Sequence, residues 1–140
     1  MNHFIMKKIV FLIAFSFVFF SCDVSDEQTY TYEINPVYHV IMPTEFAKDS
    51  ITNITVKYKR PSSCHLFSKF YYESYGFERS VAIENIKVEQ DNCQTDNETV
   101  LEMPLKFLPN AIGTYHFKFW TGTDTQGMDH YLEYDVVVDH

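Results

Sequence analysis

Glycine and proline are scarce in this chain, 4 and 5 residues among 140. Their scarcity excludes collagen-like repeats and Gly/Pro-rich disorder. Helical periodicity is missing as well: apolar residues do not recur with the i, i+3, i+4, i+7 spacing of an amphipathic helix. Basic residues are outnumbered, 11 Lys and Arg against 19 Asp and Glu, for a formal net charge of −8. Phosphate backbones demand Lys and Arg, so nucleic acid is a poor partner for such a chain. The same deficit argues against docking on anionic lipid through the protein's own surface. Catalytic signatures are also wanting. There is no nucleophile elbow, phosphate loop, zinc-type Cys/His spacing or His pair at helical spacing. His65, His116 and His130 are scattered and read as structural or solvated residues. No cofactor and no metal centre are expected, and the chain does not read as an enzyme.

What the chain does have begins with a greasy N-terminus. Residues 1–21 contain Lys7 and Lys8 and no acidic residue, and residues 9–20 are apolar except for Ser16. A basic start followed by such a run is the layout of a secretory signal. The run falls short of the roughly 20 apolar residues needed to cross a bilayer. Met6-Lys7-Lys8 makes a more natural beginning than Met1, so the start codon is read as either Met1 or Met6. Ser21 is small, as cleavage requires, and Cys22 follows it directly. Lys7-Lys8, the apolar run and Ser21-Cys22 together resemble a bacterial lipoprotein signal, of the loose kind seen in Bacteroidota, with Phe19 and Phe20 before the cut. The resemblance implies lipidation of Cys22 and anchoring to a membrane by two or three acyl chains, enough for stable attachment. Asp23, Asp26 and Glu27 follow soon after and resemble the surface-export tag of those lipoproteins. That implies a lipid anchor in the outer membrane with the protein at the cell surface; otherwise it sits on the periplasmic face.

Cys22 being taken by lipid, an even pair remains, Cys64 and Cys93. In an exported protein such a remainder reads as a disulfide. A metal pair or two free thiols compete with it, but no Cys-x-x-Cys spacing exists and free thiols are a liability outside the cell. Removing the signal leaves roughly 120 residues, one domain with enough chain to bury a core. The expected organisation is a signal peptide over residues 1–21, an acidic tether over 22–30 and a β-sandwich domain over 31–140.

Within that domain period-2 alternation dominates. Tyr30, Tyr32 and Ile34 form a first short piece, interrupted by Pro36, and residues 37–42 a second, closed by Pro43. These two are read as one kinked strand that switches between sheets. Ile54, Val56 and Tyr58 mark a half-buried strand. Residues 64–75 are apolar on both parities, with Leu66, Phe70 and Tyr72 on one and Phe67, Tyr71 and Tyr75 on the other. Such a strand is either central or shows a sticky face. After Gly76, Val81 and Ile83 alternate, then Ile86 and Val88. The parity slip predicts a bulge or break at Asn85. Residues 90–98 are a polar loop carrying Cys93. Leu101, Met103, Leu105 and Phe107 alternate, and Pro104 among them points to an edge strand. Tyr115, Phe117 and Phe119, then Leu132, Tyr134, Val136 and Val138, close the domain as a hairpin.

About seven such strands with regular turn signals predict an all-β fold, an antiparallel β-sandwich. Gly113-Thr114-Tyr115 leading into Phe117 and Phe119 resembles the start of the F strand in immunoglobulin-like and fibronectin-type domains, which implies a tyrosine-corner role for Tyr115 and an F–G hairpin at the end. A small barrel or jelly roll is the alternative.

Three features carry candidate sites. Aromatic residues make up 17% of the chain, and Tyr71, Tyr75 and Trp120, with Phe67, Tyr72 and Phe77 nearby in sequence, offer rings for a glycan or a protein surface, unless both faces of their strand are covered. The polar loop over residues 121–130 contributes Asp124 and Asp129. Asp and Thr there also suit calcium, but the spacing matches no EF-hand loop, and a plain hairpin loop uses the same residues. Asp49-Ser50-Ile51 resembles the O-glycosylation acceptor of Bacteroidota, with Ser50 as acceptor. The expected function is a non-enzymatic, lipid-anchored envelope protein that binds a protein partner or complex; the rival is a surface glycan-binding lipoprotein.

Overall fold

Alternating apolar residues need a second layer to cover one face of each strand, and eight strands in two sheets supply it. The computed structural model describes residues 28–140. The expected signal segment, the expected lipidation site Cys22 and the expected tether as far as residue 27 lie outside the described residues. The strands are β1 (Tyr30–Asn35), β2 (Val37–Ile41), β3 (Thr52–Lys59), β4 (His65–Tyr75), β5 (Glu78–Val88), β6 (Val100–Phe107), β7 (Gly113–Thr123) and β8 (Asp129–Val138). The fold is all-β, consistent with a β-sandwich, with one strand more than the sequence suggests because the kink at Pro36 separates β1 from β2. Among the described residues no helix is long and apolar enough to cross a membrane.

Pro36 does what a residue without an amide proton does best, ending one ladder and freeing the chain to join another. β1 pairs with β5 in a five-stranded sheet, and β2 pairs with β3 in a three-stranded sheet of order β2-β3-β6. Pro104 lies on β6, an edge strand as its missing donor requires. In the larger sheet β4 pairs only with β5, and β7 and β8 form the closing antiparallel hairpin. The sheets were expected to be antiparallel throughout, yet β5 and β7 run parallel over Glu78↔His116 to Val81↔Phe119.

One core fills the space between the sheets. Ile54, Val56 and Tyr58 from β3 and Leu105 and Phe107 from β6 meet Val81, Ile83, Tyr115, Phe117 and Phe119 from the other side. The rings pack edge to face, Phe107 lying 5.1 Å from Tyr115 and 4.9 Å from Phe117 between centroids. Tyr115 is buried, its hydroxyl donating to the Ala111 carbonyl at 3.1 Å and accepting from the Ala111 amide at 3.1 Å. It thus closes the turn before its own strand. Gly113 has φ +147°, and a Cβ there would stand 2.8 Å from the Phe77 ring. Gly113→Ala is therefore expected to destabilise the fold by about 1–3 kcal/mol, read as a lower urea midpoint with an unchanged slope.

The parity of β4 and β5 differs from the sequence reading. The bulge lies in β4, between Phe67 and Lys69, where Ser68 is the extra residue. It turns Phe67, Phe70 and Tyr72 toward the core side and Leu66, Tyr71 and Tyr75 outward. β5 has no slip at Asn85. That residue is buried among the core positions, 0% exposed, and neither its side-chain oxygen nor its nitrogen has a hydrogen-bond partner among the described residues. A polar residue at a core position breaks the apolar pattern without breaking the backbone, so Ile86 and Val88 fall on the outer face.

Cys64 and Cys93 are joined by a disulfide, with the Cα atoms 5.4 Å apart. It ties the start of β4 to the loop after β5. The same end is closed by Ser63 N–H to Gln94 O and Asp96 N–H to Pro61 O, both 2.9 Å. The Arg60 guanidinium bonds Asp96 there and holds its carboxyl down at about 2.

Candidate functional site: a pocket on the outer face of the larger sheet

No element of the described chain covers the outer face of the five-stranded sheet, and the chain has placed large side chains on it. The feature that shapes this face is a change of partner along one edge of β5. β7 pairs with β5 as far as Val81, and β1 pairs with it from Ile83 onward. Ala82 belongs to neither ladder on that edge. Around this junction lies a pocket of about 270 Å³, lined by Ile34, Tyr71, Glu73, Ser80, Val81, Ala82, Trp120, Asp129 and Tyr131.

Its construction follows from strand geometry. Side chains two residues apart share a face, which puts Ser80 and Ala82 of β5 side by side as a floor of short groups. Directly opposite them on β4 are Glu73 and Tyr71. Trp120 and Tyr131 are cross-strand partners on β7 and β8, and Asp129 lies two residues before Tyr131. A bulge between Trp120 and Gly122 shifts the register by one residue, so that Thr123 faces Asp129. Ile34 closes the β1 side. The small floor between tall neighbours is what makes a depression out of a sheet surface.

Hydrogen bonds fix the polar groups. Trp120 Nε1–H donates to Asp129 Oδ1 at 3.0 Å, and Thr123 Oγ1–H to the same oxygen at 2.5 Å. These two bonds hold the Asp129 carboxyl below the usual carboxylate range, the Thr123 bond most strongly. Tyr71 donates its hydroxyl proton to Glu73 Oε1 at 2.5 Å, which raises the phenol above its ordinary range. The pocket therefore offers rings, one hydroxyl-bearing floor residue and two carboxylates, with no Lys or Arg in its lining.

Of the residues singled out in the sequence, Tyr71, Trp120 and Asp129 meet here. Tyr75 does not: it is 86% exposed and borders an adjoining depression with Glu73, Ser74, Glu78 and Ser80. Asp124 also stays apart, turned into its own loop. It accepts bonds from the amides of Gln126 (2.8 Å) and Met128 (2.9 Å) and lies 2.9 Å from His130 Nε2. The Met128 amide is the main reason its carboxyl sits low. Asp124 and Asp129 thus do not converge, and among the described residues no group of three His, Cys, Asp or Glu is placed to hold a metal ion. Phe67 and Phe70 pack against the core, and Phe77 lies 4.9 Å from the Tyr115 ring. Ser50 is exposed, next to Asp49, whose φ is +58° in the turn. Sequence reasoning missed Ile34, Glu73, Ser80, Ala82 and Tyr131. The one signal for them was the short Ser80 and Ala82 at outward positions of an otherwise bulky strand.

A second constellation was not foreseen. Ser62 Oγ lies 2.7 Å from His65 Nδ1, and His65 Nε2 lies 2.9 Å from Glu33 Oε2. The connectivity is that of a nucleophile relay, but its surroundings are structural. His65 is buried, the Cys64 amide donates to Ser62 Oγ, and the amides of Ser63 and His65 are bonded to Gln94 O and Ser62 O. The donors an oxyanion would need are occupied. The chain of bonds links β1 to the disulfide end.

Among family models, curated proteins and solved structures, none matches this chain.

Proposed function

We propose that this chain is a non-enzymatic, lipid-anchored binding protein of the cell envelope, whose immunoglobulin-like domain takes a glycan on the outer face of its larger sheet. The carrying observation is the pocket of Tyr71, Trp120 and Tyr131 over the Ser80–Ala82 floor. Sugar rings present apolar C–H faces that lie against aromatic rings, and hydroxyls that bond to fixed acceptors such as Asp129 and Glu73. Lys7-Lys8, the apolar run and Ser21-Cys22 support the anchor, and the acidic residues behind Cys22 support display at the cell surface. The Tyr115 bond to Ala111 and the β7–β8 hairpin support the immunoglobulin-like assignment, from which the parallel β5–β7 pair departs. Exposed Ser50 in its turn suits O-glycosylation.

A second reading has its own observation. Tyr30, Tyr32 and Leu66 remain exposed around Ile86 and Val88 on the same face. An apolar stripe of this kind also suits a protein partner. A glycan panel on the full-length protein in detergent separates the two. Glycan binding is expected, weakened at least about tenfold by Trp120→Ala and unchanged by Tyr75→Ala. An empty panel, with a captured protein released by Tyr32→Ala, would replace the glycan reading with the second.

A further inference from the structure

We propose that the pocket selects a sugar bearing a free, protonated amine over the same sugar in uncharged form, an inference that rests on the glycan reading above. Two carboxylates, Glu73 and Asp129, enter the lining, and no cation does. The nearest bases on this face stand beside the pocket and are paired with carboxylates outside its lining: Lys118 is the cross-strand partner of Ser80, and the neighbouring His130 ring contributes to lowering the Asp129 carboxyl. Lys118 pairs with Glu78 at 3.8 Å and Lys69 with Glu84 at 3.6 Å. His130 lies against Asp124, and His116 against Asp135. Within the lining the two carboxylates have no cation between them, so the pocket presents a negative face that a ligand ammonium group would meet directly.

Both carboxylates are oriented rather than free to turn. Asp129 receives Trp120 and Thr123 on Oδ1, and among the described residues no bond falls on Oδ2. Glu73 is held through one oxygen by Tyr71. Those bonds favour the charged form of Asp129 and lower its carboxyl below the usual carboxylate range. The rest of the wall adds to the same preference. Tyr71, Trp120 and Tyr131 are aromatic, and an ammonium group within about 6 Å of a ring centroid is attracted by the ring face, most strongly for Trp. Oriented carboxylates beside aromatic faces suit a sugar ring that carries an ammonium group: the ring stacks and the charge is met. A neutral sugar would use only the first half of this arrangement. The volume lies at the small end of ligand pockets, so an acetyl group on the nitrogen would remove the charge and add bulk together.

The test compares two probes of identical skeleton, the glucosamine disaccharide and its N,N′-diacetyl form. Full-length protein in detergent is titrated calorimetrically at about pH 6, below the range where such amines lose their proton. The amine form is expected to bind at least about tenfold more tightly, to weaken with added salt, and to lose that advantage in Glu73→Gln. Glu45→Gln, an exposed residue between β2 and β3, should leave it unchanged, which separates the pocket from general attraction to an acidic protein. Equal binding of the two forms, or tighter binding of the acetylated one, overturns the amine preference and leaves the glycan reading standing. Binding of the amine form that Glu45→Gln weakens as much as Glu73→Gln also overturns it. If neither disaccharide binds, the amine preference fails, and the glycan panel decides the wider reading on its own.

Discussion

Replacing Cys64 and Cys93 together by serine is expected to lower folding stability by about 3–4 kcal/mol. The two cysteines are 29 residues apart in sequence, and the bridge encloses β4, the turn at Gly76 and β5. In the unfolded chain the crosslink removes the freedom of that whole loop, and its loss returns the freedom. The native contacts at this end outlast the bridge. The Ser62↔Thr95 pairing, the Ser63–Gln94 and Asp96–Pro61 bonds and the Arg60–Asp96 ion pair still hold the loop in place. The variant should therefore fold, with a lower urea midpoint. Ligand binding should be nearly unaffected, since Ala82 on the pocket floor is five residues along β5 from Lys87, which pairs with His65 beside the bridge. At strand rise that is roughly 17 Å. Equal midpoints for the oxidised protein and the double variant would show that the bridge adds nothing to stability.

The second large effect is expected from Phe117→Ala, a loss of about 3–5 kcal/mol. Phe117 is 0% exposed and stands at the centre of the aromatic core. Its ring meets Phe107 from the facing sheet edge-on at 4.9 Å and lies stacked with Phe119 at 5.8 Å. Truncation removes the Phe107–Phe117 contact between the two layers and leaves a hole that β-strands on both sides, held by their ladders, cannot readily close. Tyr75→Ala serves as the reference, an equally drastic truncation of a ring that is almost wholly in water; its effect should stay within about 0.5 kcal/mol. Paired urea melts of the two variants check both numbers. A Phe117→Ala protein with near wild-type stability would mean that the sheets repack, and that the aromatic stack is not what joins them.

The contrast between these residues was partly visible in the chain itself. Phe117 sits in strict alternation with His116 and Lys118, so its burial could be read from period 2 alone. Pro36 and Pro104 were equally legible, because a residue without an amide proton restricts ladder pairing wherever it occurs. Tyr115 was legible through its place after Gly113. Residues 64–75 were not. Leu66 and Phe67, Phe70 and Tyr71 all look alike to an alternation rule. Only the extra residue at Ser68, seen once β4 is laid against β5, decides which of each pair faces the core. Asn85 misled in the opposite direction, since a buried amide in a run of apolar residues imitates a change of face.

The pocket was legible only in fragments. Tyr71, Trp120 and Asp129 stood out as residue types suited to binding, but Tyr75 and Asp124 stood out for the same reasons and lie elsewhere. What gathers the first three is the order of strands: β4 beside β5, β7 parallel to β5, and β1 taking over the same edge past Ala82. By itself the sequence determined the strands, the faces of most of them, the edge position of β6 and the cysteine pair, because side-chain alternation, proline chemistry and thiol pairing act over a few residues or on the chain's own inventory. The tertiary structure alone decided the parallel pairing, the bulge at Ser68 and the pocket. Strand order is a choice among non-local pairings with similar local energies, and it is settled by how the whole aromatic core packs, which no single stretch of the chain encodes.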